Sequence, residues 1–161
     1  MLNEHLTAFV RLAEERDAEA ASEVLRRSIT ECCFEDHRGD ARLLDAWLAD
    51  KTPENMRQWI ADTSYHAVVA EAGGAVVGVG VMTSSGDVTL LYLLPEARFL
   101  GVGKALLTEL ESRGRDLGLD ALRLNSTKAA RQFYRKHGFE SAGPPRECSG
   151  VLCHPMIRSY R

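Results

Sequence analysis

Arg98, Gly101, Gly103 and Lys104 fall in the order R-x-x-G-x-G-K between an apolar run and an amphipathic one. Residues of this kind at the start of a helix suit an anion. Free backbone N–H groups and the positive end of the helix dipole point at it, and glycines let it come close. Spacing excludes two familiar anion loops. A P-loop needs Gly where Arg98 stands and Ser or Thr where Ala105 stands, so the hydroxyl that would hold magnesium is missing. A dinucleotide fingerprint needs a third Gly at position 106, which is Leu106. An ordinary turn with two glycines is the other reading of the segment on its own.

Thirty residues on, Ala130-Arg131-Gln132-Phe133-Tyr134 leads through Gly138 into Phe139. By itself a Phe-Tyr pair on a helix reads as core. Asp87, at the start of an apolar run, reads as a turn residue after Gly86. Cys32-Cys33 and Cys148 with Cys153 lack C-x-x-C spacing, so the sequence predicts free thiols in a reducing compartment and no metal site.

Elements must bring these residues together. Residues 9–13 read as a short strand, and Asp17 caps a helix with Ala21, Val24, Leu25 and Ile29 on one face. Leu43, Leu44, Trp47 and Leu48 form a second stripe. Met56, Trp59 and Ile60 form a third, entered through Thr52 as cap and Pro53 at the first helical position. Residues 66–71 and 75–82 make a hairpin through Gly73-Gly74, and 87–94 a third strand. Then come a helix over 102–113, a strand over 120–124, a helix over 127–137 and strands over 139–141 and 150–157. The pattern predicts one α/β (α+β) domain over residues 1–161 with about four helices flanking a mixed, mostly antiparallel sheet of six to seven strands.

Composition narrows the partners. The net charge of −3 joins an acidic first half to a basic second half. Residues 1–86 carry 8 basic and 15 acidic side chains, a balance of −7, and residues 87–161 carry 12 and 8, a balance of +4. Mild acidity without a long basic stripe argues against nucleic acid. No apolar run approaches membrane-spanning length. Met1 to His5 has neither the basic start nor the apolar stretch of a leader, so a cytoplasmic location is expected.

The two motifs in this order, R-x-x-G-x-G and A-x-x-F-Y-x-x-x-G-F, resemble the GNAT superfamily of N-acetyltransferases. The likeness runs along the whole chain and includes Leu91, Tyr92 and Pro95 at a strand end and Met156 on the closing strand. It implies acetyl-CoA as cosubstrate and direct transfer of its acetyl group to a primary amine. A small-molecule acceptor is favoured over a protein, with polyamine, antibiotic, amino acid, peptide N-terminus and protein lysine all open, and a monomer or homodimer is expected. A non-catalytic acyl-CoA sensor of the same fold is the alternative. Tyr92, Leu93 and Leu94 would take the pantetheine arm as an added strand, with the Leu93 or Leu94 N–H polarising the carbonyl. The amides of Phe99, Leu100, Gly101, Val102, Gly103, Lys104 and Ala105 would hold the pyrophosphate beside Arg98. Asn125 and Ala130 would border the cofactor, and Tyr134, with an ordinary phenol pKa near 10, would sit beside the sulfur as proton or hydrogen-bond donor. Asp87 would serve as base through water, with His66 and Glu71 as further candidates. The acidic half would wall a cationic acceptor. Leu100, where many members carry a basic residue, and Thr127 and Ala129, where many carry Asn, depart from the pattern.

Overall fold

A computed structural model describes residues 7–160, so the reading of Met1 to His5 lies outside the described residues. Strand β1 (Phe9–Leu12) leads through a 3-10 turn (Glu15–Asp17) into α1 (Ala18–Cys32), followed by α2 (Phe34–His37), α3 (Ala41–Leu48) and α4 (Pro53–Ala61). The meander β2 (Tyr65–Ala72), β3 (Ala75–Thr83) and β4 (Asp87–Leu93) follows. A 3-10 turn (Pro95–Ala97) joins β4 to α5 (Val102–Asp116). Strand β5 (Ala121–Ser126), α6 (Arg131–Lys136), β6 (Glu140–Ser141), β7 (Arg146–Cys148) and β8 (Val151–Ser159) complete the order. The sheet runs β1-β2-β3-β4-β5-β8-β6, with β7 paired to β8. All pairings are antiparallel except β4 with β5.

Alternation along the meander sorts the core into two layers, because successive strand residues face opposite sides. Val69, Val79, Val81 and Leu90 pack with Ala21, Val24 and Leu25 of α1 and Met56 of α4. Val68, Ala70, Leu91 and Leu93 pack on the other face with Leu106, Leu107 and Leu110 of α5. The expected stripes are therefore the faces buried, and Thr52 caps α4 by accepting from the Asn55 N–H at 3.2 Å.

Local details differ from expectation. Asp17 precedes α1, but its carboxylate turns back to accept from Arg11 Nη1 and Nη2 at 2.8 and 2.9 Å, so it ties strand to helix instead of capping. The 127–137 helix shortens to α6, because the N–H groups of Lys128 and Ala129 donate to the Asp36 carboxylate at 2.7 and 3.3 Å. Residues 127–130 thereby stay a turn. The one-turn α2 and the short β7 raise the count to six helices and eight strands among the described residues. Cys148 and Cys153 are not free thiols: the β7–β8 hairpin places their Cα atoms 5.8 Å apart and they form a disulfide. Cys32 and Cys33 are free.

Candidate active site

The parallel pairing of β4 and β5 lasts for two residue pairs, Asp87 with Arg123 and Val88 with Leu124. Beyond them β5 stays with β8 while β4 stays with β3, and the two strands part. A cleft of about 870 Å³ opens there, lined by β4, β5, the end of α1, the start of α5 and α6. On β4 the Leu94 N–H donates to the Val77 carbonyl at 2.9 Å. Peptide groups alternate sides along a strand, so Leu94, Tyr92 and Leu90 spend theirs on β3. Leu91 and Leu93 then turn theirs toward the gap. Of the two amides expected to polarise a carbonyl, Leu93 is the one left for it.

Helix α5 begins at the mouth of the cleft. Gly101, with φ +81°, sits at its N-cap in the left-handed region, where a side chain would be strained. The first intrahelical bond runs from the Ala105 N–H to the Gly101 carbonyl at 3.1 Å. Ala105 is therefore not a free donor, and the unclaimed N–H groups are those of the turn before it. Gly103 is small for another reason: a Cβ there would meet the Phe133 ring at 3.1 Å. Arg98, Phe99, Gly101, Gly103 and Lys104 line the cleft together with Lys136 and His137 of the α6 end; Arg98, Lys104 and Lys136 make this end basic, while burial and the two lysines lower the His137 pKa and keep its ring neutral. Of the other expected contacts, Asn125 and Ala130 line the cleft. Leu94, Leu100, Val102 and Ala105 are not among its lining residues.

The opposite end is built from side chains. Tyr134 is buried on α6, held by ring contacts to Phe133 and Phe139 with centroids 5.3 and 5.5 Å away. Arg158 of β8 fixes the end of that helix, donating to the His137 carbonyl at 2.8 Å and to Glu111 of α5 at 2.6 Å. Burial raises the Tyr134 pKa above the ordinary phenol value, with the neighbouring Cys33 adding to it, so the hydroxyl keeps its proton at neutral pH. Tyr92 projects toward α1, where burial raises its pKa too and the neighbouring Trp47 indole offsets part of the rise. Cys33 joins the two tyrosines, and burial pushes its thiol up to about 12. Ser28 and Cys32 complete this wall. Sequence reasoning missed the α1 contribution. Its signal, a Cys-Cys pair closing an amphipathic helix, is indistinguishable from ordinary core.

The candidate bases lie elsewhere. Asp87 is at the far end of β4, about 16 Å along the strand from Tyr92. Its carboxylate accepts from Ser85 Oγ at 3.3 Å and Thr83 Oγ1 at 3.5 Å, which is a turn residue's bonding. Glu71 pairs with Arg11 at 2.8 Å on the outer strands, and His66 lies on β2 against Met82. Neither lines the cleft. Among the described residues, no Asp or Glu lines it; Asp36 of the acidic first half stands beside it, its carboxylate taken up by the Lys128 and Ala129 N–H groups.

Comparison with known proteins agrees with this architecture. An IAA acetyltransferase of Azospirillum brasilense is 33% identical over 116 residues, covering 63% of this chain and 74% of that protein. A GCN5-related N-acetyltransferase from Rhodopseudomonas palustris superposes with a TM-score of 0.84 at 20% identity, over 95% of this chain and 96% of that one. The PaiA N-acetyltransferase of Thermoplasma acidophilum, solved in complex with coenzyme A, gives 0.80 at 22% identity over 96% and 99%. At these identities the structural likeness establishes the fold. A family model described as an acetyltransferase (GNAT) domain matches residues 19–159. The chain belongs to the GNAT acetyltransferase family.

Proposed function

We propose that the protein transfers the acetyl group of acetyl-CoA to a small primary amine by direct attack, with both substrates bound. The observation that carries this reading is one cleft that joins a parted strand edge, an uncapped helix start and a buried tyrosine. The N–H groups at the start of α5 would take the pyrophosphate, with Arg98, Lys104 and Lys136 balancing the phosphate charge. The peptide groups of Leu91 and Leu93 would pair with the amides of the pantetheine arm, as an added strand pairs with a sheet edge. The Leu93 N–H would then face the thioester oxygen and stabilise the charge that grows there.

The thioester supplies an activated acetyl group. The amine nitrogen forms the new C–N bond, the C–S bond breaks, and the thiolate leaves. Tyr134 would donate a hydrogen bond to that thiolate. A thiol's ordinary pKa is near 8.5, well below that of a buried phenol, so full proton transfer from Tyr134 is uphill while hydrogen bonding is not. The amine's own proton is lost to solvent. The one neutral imidazole of the lining, His137, lies at the α5 end beside Lys104 and Lys136; at the other end Tyr92 and Tyr134 are raised above the ordinary phenol value and Cys33 sits at about 12, so none is an unprotonated base placed for the acceptor. The amine must therefore arrive neutral, and the charge pattern gives a cationic acceptor no partner in the cleft.

The same lack of a carboxylate supports a second reading, a sensor that binds acyl-CoA without turning it over. Thiol release from acetyl-CoA across a panel of amines, with mass detection of acetylated product, decides between them. Amine-dependent release supports transfer. Tight CoA binding with release no faster than hydrolysis supports the sensor.

A further inference from the structure

Phe99 is the most exposed large apolar side chain among the described residues, at 92%, and it lies on the lip of the cleft. Its backbone is in the left-handed region, φ +65°, which bulky side chains seldom adopt. The two costs coincide: a ring placed in water and a conformation that glycine would hold without strain. Such outliers persist where the surroundings impose them and tend to mark functional positions. The Arg98 guanidinium carbon stands 5.0 Å from the ring centroid, over one face. With almost all of its surface open, the other face of the ring is free to receive a flat group.

The direction of the cofactor says which group. On the reading proposed above, the thioester lies by Tyr134 and the pyrophosphate by the start of α5. The remaining nucleotide must continue outward past that loop, where Phe99 stands. We propose that the Phe99 ring is a stacking platform for the adenine base of the cosubstrate, so that Arg98, Phe99 and the purine form a three-layer stack. The left-handed backbone turns the ring outward to meet the base, and the guanidinium behind it holds the ring in place. This rests on the acetyl-CoA reading but adds a contact that the amide cradle does not supply.

The test compares ligands with and without the base. Calorimetric titration of CoA and of 4′-phosphopantetheine is run on the parent protein and on Phe99→Ala, Phe99→Gly and Phe99→Trp. Loss of one base-stacking contact weakens CoA binding by about tenfold in Phe99→Ala and Phe99→Gly, and leaves the affinity for phosphopantetheine unchanged. Phe99→Gly without ligand melts above the parent because the backbone strain is gone, which separates the ring's role from the loop's. Phe99→Trp keeps CoA affinity, and CoA quenches its added fluorescence whereas phosphopantetheine does not. Equal losses for both ligands, an unquenched tryptophan, or unchanged CoA affinity with loss of self-association on sedimentation would each overturn the platform. A parent protein that binds neither ligand would instead sink the cofactor reading on which the platform rests.

Discussion

The two ends of the cleft are made of different material. The end proposed for the nucleotide is mostly backbone, with a left-handed Gly101, the uncapped start of α5 and a Gly103 that lets Phe133 approach. The end proposed for the acceptor is side chains drawn from three elements: Cys33 closing α1, Tyr92 on β4 and Tyr134 on α6. Main-chain donors bind an anion whatever the neighbouring side chains are, so the first end can be reused for one cofactor. The second end changes with every substitution on its lining, so it carries the choice of acceptor. The molecule is thus a fixed half facing a variable half across the opening between β4 and β5.

Breaking either half should leave the other standing. Tyr134→Phe removes the donor to the leaving sulfur, and kcat should fall about a hundredfold with little change in CoA affinity, by steady-state kinetics beside calorimetry. Next in size is pH. With no lining carboxylate and both tyrosines raised, kcat/KM should climb about tenfold per pH unit up to the acceptor's own pKa. The break should move when a less basic amine is used; a fixed break near pH 5–6 would reveal an enzyme base. Gly101→Val forces a branched side chain into the left-handed region at a cost of about 1–2 kcal/mol. It should raise the CoA dissociation constant about tenfold while the acceptor KM holds. Tyr92→Phe loses a buried hydroxyl of the cleft wall beside Trp47 and Cys33, and should shift the acceptor KM severalfold with CoA affinity intact.

The smallest effect lies outside the cleft and calibrates the rest. His66 has a buried Nε2 without a hydrogen-bond partner, and burial lowers its pKa from 6.5, aided by Arg113. The unfolded chain therefore takes up this proton first, so stability falls as pH drops below 6.5. His66→Leu should make the decline in Tm between pH 7 and pH 5 shallower by about 2 °C, measured by scanning calorimetry, with turnover unchanged.

The same division explains what could be read from residue order. The hairpin of β2 and β3, the α4 cap at Thr52 and the α5 start are local devices, written in neighbouring residues. The rest depends on partners, near or far, that residue order does not name. Residues 127–130 look helical until Asp36, some ninety positions earlier, takes their amides. Asp87 is a candidate base by its place before the glycine loop, but residue order does not show that its carboxylate accepts from Thr83 and Ser85 outside the cleft. The Cys148–Cys153 bridge closes one hairpin at a spacing other than C-x-x-C, and Cys33 meets Tyr92 and Tyr134 only once α1, β4 and α6 are packed together.

The central claim is where the cosubstrate lies. A crystal structure with acetyl-CoA should place the pyrophosphate on the N–H groups at the start of α5. The pantetheine should be paired to Leu91 and Leu93, and the sulfur within hydrogen-bond reach of the Tyr134 hydroxyl. Pyrophosphate density away from that turn, or an arm that leaves the gap between β4 and β5 empty, would contradict the account.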